Sequence, residues 1–513
     1  MKKLKLVSSL FLLVFLLLPS SMIASENANA SVPSPAGVTD TPGTWFVGAI
    51  PNNVNPNKSP IVFVQGLHGN AKEWWKETVY YGKNDMYQHA YLNGYRTAFV
   101  QLEDSTGGDA ADMWHNGKML ANMLEEIYDY FGEKVTIVAH SKGGVDTQAA
   151  LVHYGAWPFV DDVITLSTPH SGSPLADLAY SWYAGWLAEL IERTDDGTYS
   201  MQTGEMEKFR SLIDNNENAF KNNYYTASGT GWGPLFSALW FGGLYLGGDN
   251  DGLVPVWSTQ LPYGKHFYSG GDNINHDNIR TGSSSFKQID AILSGSATSF
   301  SPTSFSSESV DSNYIPEQLL RGDSLASNIA VTEMIPVESG NHQVVFQVMT
   351  SGSDVNLTLT SPKGKQYSQS SKQYTNYVDK DYFKDAFIQT FKINKPEAGK
   401  WKISMESKKE DAYFIVTNFQ GSKSLNMTWS ELERKAKDTK NFTKQKDSSS
   451  KKIKIDKKIK NKKPNQTKRE MEHSVDFNNV MESTTSNVTY EIIGTTKNGE
   501  KYYRTAVKSY YNY

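Results

Sequence analysis

Ser141 occupies the centre of the segment Ala139-His140-Ser141-Lys142-Gly143. An apolar strand pattern precedes this segment and a helix pattern follows it, which is typical of a nucleophile elbow. Such an elbow is a strained turn that lifts a serine hydroxyl clear of a sheet, and it needs small residues two positions before and two positions after the serine. Ala139 and Gly143 meet that requirement. A structural strand–turn–helix unit with an inert serine is the alternative.

A nucleophilic serine needs a general base and a group that orients the base. Asp251, in the turn-rich segment at 248–255, is the predicted orienting acid, with Asp249 as the alternative. His276 lies 25 residues after Asp251 and is the predicted base. His266 is the competing histidine, but its neighbours form a strand pattern, and the base is expected in the loop beyond that strand. This order of serine, acid and histidine is known for nucleophile-elbow enzymes.

Two backbone N–H groups must stabilise the negative oxygen that forms when a serine attacks a carbonyl carbon. Lys142, directly after the nucleophile, is predicted to supply one of them. Leu67 is predicted to supply the other, because Gly66 precedes it in the loop at 65–70 and a glycine allows close approach of the backbone. A simple tight turn is the alternative interpretation of that loop.

The elements that must position these residues alternate between strands and helices from about residue 43 to residue 294. Strands are predicted at 60–64, 95–100, 135–138 and 163–166, and helices at 110–131 and 143–154. Short apolar strands that alternate with helices indicate a parallel sheet covered by helices on both faces. Ser141 therefore follows directly after a buried strand.

These segments resemble those of the secreted bacterial true lipases, the triacylglycerol lipases. The similar segments are Gln65-Gly66-Leu67-His68-Gly69 (their H-G-x-x-G, with glutamine for the first histidine), 139–143 (their alanine-type lipase box), 166–173 (their T-P-H-x-G-S), 249–254 (their acid loop) and 275–276 (their histidine loop). The resemblance covers roughly residues 43–290. It implies an α/β-hydrolase fold and a serine hydrolase that cleaves carboxylic esters of lipids.

Many of these lipases hold a structural calcium ion, with an aspartate two residues after the histidine. Asn278 occupies that position here. The sequence also has no aspartate about twenty residues before Asp251, where the resemblance would place another one. The sequence therefore predicts no cofactor and does not favour a calcium site.

Two groups of aromatic side chains are candidates for contact with the substrate. Trp74 and Trp75 follow the oxyanion loop and are predicted either to line the acyl pocket or only to support it. The connection at 172–247 is long and aromatic. It is interpreted either as a cap whose apolar face meets lipid or as an ordinary subdomain core.

Two other functions fit parts of the sequence. Some extracellular polyester (polyhydroxyalkanoate) depolymerases share the alanine-type box, so a polymer ester is the alternative substrate. A cell-surface binding protein with a vestigial hydrolase domain is the alternative from a different class. The presence of Ser141, Asp251 and His276 together argues against that second alternative.

After about residue 302 the pattern changes to short alternating strands, predicted at 343–350, 355–360, 400–405 and 412–418. They indicate an all-β sandwich at 311–433, after a Ser/Thr-rich linker at 298–310. Residues 434–469 hold 16 Lys+Arg and 3 Asp+Glu, and such a charge run is predicted to be disordered. It could bind an anionic cell wall or membrane surface. Residues 470–513 are predicted to form a β-hairpin that could complete the sandwich.

The amino terminus and the composition bound the remaining possibilities. Residues 1–30 combine three lysines, an apolar run and Ala28-Asn29-Ala30, which predicts a bacterial secretory signal peptide, cleavage after Ala30 and an extracellular protein. The catalytic domain then spans 31–297. The 513-residue chain has no cysteine, which excludes disulfides, thiolate zinc sites and a cysteine nucleophile.

Charge and hydropathy add two exclusions. The charged fraction of 21% and the mean hydropathy of −0.51 exclude a multi-span membrane protein. The net charge is −4, and no nucleic-acid partner is predicted. The predicted partner is a lipid or polymer ester.

Overall fold

The structure is a computed structural model of the chain. It describes residues 32–104, 109–181, 183–184, 195–296, 315–379, 383, 385–425, 427–438, 453–454 and 485–511. The signal peptide predicted at 1–30 and the linker predicted at 298–310 lie outside these residues.

A seven-stranded sheet forms the centre of the first domain. Its strands are β1 (Thr44–Val47), β2 (Ile61–Val64), β3 (Thr97–Gln101), β4 (Val135–His140), β5 (Val160–Leu166), β6 (Asn223–Ser228) and β7 (Lys265–Ser269). The strand order is β1-β3-β2-β4-β5-β6-β7, in which β1 is antiparallel to β3 and the other neighbours are parallel. The central strands β2 and β4 are buried along their whole length, which explains their nearly continuous apolar sequences.

Helices cover both faces of this sheet. They are α1 (Met86–Leu92), α2 (Met113–Phe131), α3 (Lys142–Gln148), α4 (Pro174–Ala179), α5 (Asp196–Ser200), α6 (Thr203–Ile213), α7 (Ala238–Leu246) and α8 (Gly282–Leu293). Short 3-10 helices lie at Ala71–Trp74, Trp157–Phe159, Glu217–Phe220 and Val256–Thr259, and α3 continues as a π-helical turn at Ala149–His153. Among the described helices, none is long and apolar enough to cross a membrane.

The two faces of β2 build two separate apolar cores. Val62 and Val64 pack in one cluster with Leu120 and other residues of α2. Ile61 and Phe63 point the opposite way and pack in a second cluster. This division follows from the strand geometry, because successive side chains point to opposite faces of a sheet.

The segment predicted as a cap at 172–247 is not all cap. Asn223–Ser228 forms β6, which pairs in parallel with β5 and β7 within the central sheet. Its mixed sequence Asn-Tyr-Tyr-Thr-Ala-Ser lacks the continuous apolar run of the central strands, so the sequence analysis overlooked it. The elements of this segment that stand outside the sheet are α4, α5 and α6 before β6, and α7 after it.

The second domain is the predicted β-sandwich. Its strands are β8 (Gln318–Leu325), β9 (Val331–Val337), β10 (Gln343–Thr350), β11 (Val355–Thr360), β12 (Gln366–Tyr367), β13 (Tyr374–Val378), β14 (Phe387–Asn394), β15 (Gly399–Ser407) and β16 (Asp411–Gln420). One antiparallel sheet has the order β13-β14-β10-β16-β8 and the other β12-β11-β15-β9. Phe346 of the first sheet packs on Trp401 of the second, with ring centroids 5.5 Å apart. The fold class predicted for both domains is confirmed.

The sandwich covers the outer face of α7. This helix is apolar all round, and eight of its nine residues are buried. Leu175 of α4 and Phe383 of the sandwich line a small cavity beside it. The Lys392 ammonium lies 5.4 Å from the ring of Trp240, the remaining partly exposed residue of α7. The apolar face expected to meet lipid is therefore packed against protein in this structure.

The carboxyl-terminal strands pair as an antiparallel hairpin, which forms a sheet separate from the two sheets of the sandwich. Strands β18 (Thr485–Thr495) and β19 (Lys501–Tyr511) form a third sheet with the short β17 (Ile453–Lys454). The prediction of disorder at 434–469 is wrong at its start, because residues 434–438 belong to the helix α9 (Trp429–Asp438). It is also wrong at Ile453–Lys454, which pairs with β18. The rest of that segment lies outside the described residues.

Strand β19 contacts both domains. The Ser509 N–H donates to the carboxylate of Asp177 in α4 (3.3 Å), and the Thr203 hydroxyl of α6 donates to the Ser509 carbonyl (3.4 Å). Burial raises the pKa of Asp177 to about 6. On the sandwich side, the guanidinium of Arg504 is fully buried and pairs with the carboxylates of Glu338 and Glu317.

We expect Arg504→Ala to lower the free energy of unfolding by about 3–5 kcal/mol, because it leaves a buried carboxylate without its charge partner. Chemical unfolding of the variant and of the wild type measures the difference. Lys363→Ala is the matched control, since it removes an ion pair to Glu397 in which the lysine side chain is 82% exposed. Equal losses of stability in the two variants would contradict the assigned role of Arg504.

Candidate active site

Ser141 lies at the junction of β4 and α3, where the backbone is strained. Its φ of 52° and ψ of −135° are unfavourable for a residue with a side chain. The junction also has no spare room, because a Cβ on Gly143 would lie 2.1 Å from the carbonyl oxygen of Gln65. The small residue expected two positions after the serine is therefore needed to let α3 approach the oxyanion loop.

Ser141, His276 and Asp251 form one hydrogen-bonded chain. The Ser141 hydroxyl lies 3.0 Å from Nε2 of His276, and Nδ1 of His276 lies 2.9 Å from a carboxylate oxygen of Asp251. The other carboxylate oxygen accepts the N–H groups of Leu253 (2.9 Å) and Val254 (2.7 Å). A carboxylate bound in this way holds the proton of the imidazole on Nδ1, which leaves Nε2 free to accept the serine proton.

The two competing residues lie outside this chain. Asp249 is exposed, two residues before the fully buried Asp251. His266 lies within β7, and its ring nitrogens contact the hydroxyls of Thr226 (2.9 Å) and Ser269 (2.8 Å). Burial lowers the pKa of His266 to about 4. Of the predicted acids and bases, the structure brings only Asp251 and His276 to Ser141 within the described residues.

The predicted oxyanion loop packs directly against Ser141. A Cβ on Gly66 would lie 2.9 Å from the Cβ of Ser141, so only glycine allows this approach. The Gly66 N–H donates to the buried carboxylate of Glu73 (3.2 Å). In the part of the chain that the structure describes, the N–H groups of Leu67 and Lys142 donate no hydrogen bond to a protein acceptor. Both can therefore bind a substrate oxygen.

A buried ion-pair network that sequence reasoning missed joins the oxyanion loop to the histidine loop. The guanidinium of Arg280 lies 3.3 Å from the carboxylate of Glu73 and 2.7 Å from that of Asp277. Burial raises the pKa of Glu73, while the charge of Arg280 opposes that rise. Asp277 also accepts the N–H groups of Val79 (3.2 Å) and Tyr80 (2.8 Å).

These bonds bear on the calcium site that the sequence did not favour. Both carboxylate oxygens of Asp277, the aspartate that follows His276 in the sequence, are bound by N–H groups. Asn278 uses its side chain to close the loop, by accepting the Asn275 N–H and donating to the Asn273 carbonyl. Among the described residues no group of three or more metal-binding side chains is close enough to hold an ion.

The histidine of the elbow segment, His140, supports the catalytic loop. Its Nε2 lies 2.9 Å from the carbonyl oxygen of His276, so this nitrogen must carry the hydrogen. Burial lowers the pKa of His140 well below its usual value, so the ring is neutral. His170 is likewise buried, between Gln148 (2.9 Å) and Thr165 (3.2 Å).

Lys142 carries a second feature that the sequence analysis missed. Its fully buried ammonium lies 3.0 Å from both carboxylate oxygens of Asp146 and 3.4 Å from Asp104. Asn116 donates to Asp104 at 2.6 Å. Burial raises the pKa of both carboxyls, that of Asp146 to about 8. A lysine next to the nucleophile in an apolar segment was the available sign, because buried lysines need charge partners.

We expect Asp146→Asn to flatten the pH dependence of stability. The folded protein holds a proton on Asp146 up to about pH 8, whereas the unfolded chain releases it above about pH 4. Since the folded state binds more protons in this window, the free energy of unfolding contributed by this group falls as the pH rises. Unfolding temperatures between about pH 4 and 8 measure the slope. Asp161→Asn, at a surface position, is the control, and equal slopes in wild type and Asp146→Asn would contradict the assignment.

The two tryptophans expected near the substrate are core residues. Trp74 is fully buried against Phe63, with centroids 4.9 Å apart. Trp75 is 6% exposed and packs on Phe99 at 4.7 Å. Their burial favours the alternative in which they support the acyl pocket without lining it.

Comparisons with known proteins find similarity in both domains of the chain. A family model described as a PGAP1-like alpha/beta domain matches residues 55–200, which include the oxyanion loop and Ser141. A model of the proprotein convertase P-domain matches residues 343–420, within the sandwich. No curated protein matches the chain.

Solved structures extend the comparison to the whole chain. The crystal structure of the Bacillus licheniformis lipase BlEst2 in its propeptide form is 32% identical, covers 92% of this chain and 100% of its own, and has a TM-score of 0.73. The chain belongs to the family of this lipase. The BlEst2 structure in its mature form is 45% identical and covers 49% of this chain and 99% of its own, with a TM-score of 0.45.

Proposed function

We propose that this protein is a secreted serine hydrolase of the triacylglycerol lipase type, which cleaves carboxylic esters of lipids. The observation that carries the proposal is the hydrogen-bonded chain Ser141–His276–Asp251, with distances of 3.0 and 2.9 Å. Membership of the BlEst2 lipase family supports it. Residues 139–143 then serve as an alanine-type lipase box.

The reaction has two halves. In the first, Nε2 of His276 takes the hydroxyl proton of Ser141 as the serine oxygen attacks the ester carbonyl, and the proton then passes to the leaving alcohol. In the second, His276 takes a proton from water, the water oxygen attacks the acyl-enzyme, and the acid leaves as Ser141 regains its proton. Asp251 stabilises the imidazolium that forms in each half.

The oxyanion of each tetrahedral intermediate is held by the N–H groups of Leu67 and Lys142. Helix α3 begins at Lys142. The dipole of this helix therefore adds to the attraction for the negative oxygen of the intermediate. The buried partners of the Lys142 side chain hold this residue in place, which keeps its N–H aligned before the reaction begins.

The proposal is tested by a panel of esters: nitrophenyl esters of increasing acyl length, tributyrin, a phospholipid and polyhydroxybutyrate. We expect hydrolysis of nitrophenyl esters and tributyrin, and little release of acid from the polymer. Faster hydrolysis of polyhydroxybutyrate would instead favour a polyester depolymerase. Binding to cell walls without turnover of any ester would favour the surface-binding alternative and contradict the proposal.

Secretion and surface contact complete the proposal. Cleavage after Ala30 would release the enzyme outside a bacterial cell, where extracellular lipid is its substrate. The basic run at 434–469 is proposed to contact anionic cell wall or membrane. Mass spectrometry of the exported protein tests the cleavage site.

A further inference from the structure

The oxyanion loop makes its tight turn at His68. The segment Gly66-Leu67-His68-Gly69 is closed by a hydrogen bond from the Gly69 N–H to the Gly66 carbonyl (3.1 Å). His68 has a φ of +54°, whereas Leu67 is not among the described residues with a positive φ. This is the pattern of a type II turn, whose third position normally holds glycine or asparagine because other side chains are strained there. His68 is therefore an unfavourable choice for the turn unless its side chain has another role.

The side chain of His68 is bound by Asp195, the residue that precedes helix α5. Nε2 of His68 lies 2.6 Å from a carboxylate oxygen of Asp195, and the two side chains are only 17% and 13% exposed. The other carboxylate oxygen of Asp195 accepts the N–H of Thr198 (2.6 Å), which caps α5. Tyr180 donates its hydroxyl to the Asp195 carbonyl (2.8 Å). The bonds from Thr198 and Tyr180 thus hold Asp195 in place, and one of its carboxylate oxygens binds His68 of the oxyanion loop.

Helix α5 also touches the other central residue of the turn. A Cβ on Gly197 would lie 2.9 Å from a methyl carbon of Leu67 and 2.5 Å from the Cβ of Ala110. Only glycine allows the helix to lie this close to Leu67. The start of α5 therefore contacts both central residues of the turn, Leu67 through packing and His68 through a hydrogen bond.

We propose that Asp195 is a positioning residue for the oxyanion hole, acting through His68. The hydrogen bond offsets the strain of the left-handed His68 backbone and keeps the loop in the type II turn. Without it the strain at His68 relaxes through rotations of the neighbouring loop bonds, which move the Leu67 N–H away from the position of the oxyanion. This inference rests on the proposed function. It gives Asp195, at the start of α5, a role in the orientation of the oxyanion donor.

The pair is tested with three variants assayed on a nitrophenyl ester. Asp195→Ala should lower kcat by about 10- to 100-fold and leave KM nearly unchanged, because a displaced oxyanion donor weakens binding of the transition state more than that of the substrate. Asp195→Asn should lose less, since its amide can still cap Thr198 and form a hydrogen bond with His68. His68→Gly should also lose less, because glycine adopts the turn without strain.

The double variant His68→Gly/Asp195→Ala gives the sharpest readout. If Asp195 acts through His68, adding Asp195→Ala to His68→Gly causes no further loss of kcat. A boronic acid that binds Ser141 as a tetrahedral adduct supplies a second readout, and its affinity should fall in parallel with kcat. Asn216→Ala is the matched control, because it removes the side-chain cap of the 3-10 helix Glu217–Phe220 and leaves the oxyanion loop untouched.

Each outcome decides one question. Full kcat in a folded Asp195→Ala variant overturns the inference and leaves the proposed function intact. The inference is also overturned if Asp195→Ala lowers kcat by the same factor in the wild-type and His68→Gly backgrounds. Failure of the wild type to hydrolyse any ester refutes the proposed function instead. If Asp195→Ala does not fold, Asp195→Ser is measured in its place, because serine can still cap α5 but is too short to reach His68. Full kcat and unchanged boronic acid affinity in that variant overturn the inference.

Discussion

Replacement of Ser141 by alanine is expected to lower kcat on nitrophenyl esters by about 10⁵- to 10⁶-fold, the size of loss seen when a triad serine is removed from a serine hydrolase. The loss is large because no other group can form the acyl-enzyme. The rate is measured as release of nitrophenolate. Background hydrolysis of the ester sets the lowest rate that the assay can detect.

The same variant should keep its fold, because alanine removes one oxygen atom from a side chain that is 9% exposed. Its unfolding temperature should stay close to that of the wild type. A fluorophosphonate should label the wild type once and leave Ser141→Ala unlabelled. Residual esterase activity near the wild-type rate, in a preparation free of other esterases, would refute the assigned nucleophile.

Asp251→Asn should lower kcat by about 10⁴-fold, because an amide no longer holds the imidazole of His276 in the tautomer that accepts the serine proton. Asp249→Asn is the matched control, since it makes the same chemical change two residues away at an exposed position. The control should keep nearly the full rate. Assays across a pH series separate a true loss of kcat from a shift of its pH optimum.

The two aspartate variants also decide between the alternatives that the sequence left open. If Asp249→Asn lost the activity and Asp251→Asn kept it, the orienting acid would be Asp249, and the bond of 2.9 Å from His276 to Asp251 would have no catalytic role. Comparable losses in both variants would indicate that the whole loop at 248–255 is needed for folding.

The fold was predictable where one element leaves a strong pattern. Strands such as Ile61–Val64 are continuously apolar because helices bury both of their faces, and α2 shows a clear apolar side against the sheet. Strand β6 was missed because its sequence mixes polar and apolar residues, and only the strands on both sides of it show that it belongs to the sheet.

The three residues of the hydrogen-bonded chain Ser141–His276–Asp251 were predictable because each lies in a local motif. Their supporting partners were not, because those partners come from distant parts of the chain. Arg280 binds Glu73, which lies roughly 200 residues earlier in the sequence. Lys142 follows β4 and binds Asp104, which follows β3. Contacts of this kind depend on the sheet order, which single-sequence patterns do not specify.

The docking of β19 on α4 and α6 has a consequence for the order of folding. A chain is synthesised from its amino terminus, and domains generally fold in that order. The last strand of the central sheet ends at Ser269, and the last helix that covers the sheet ends at Leu293. Strand β19, which binds Asp177 and Thr203, ends at Tyr511. The first domain must therefore keep this face open while more than 200 further residues emerge, and the contact closes only after β19 has been made.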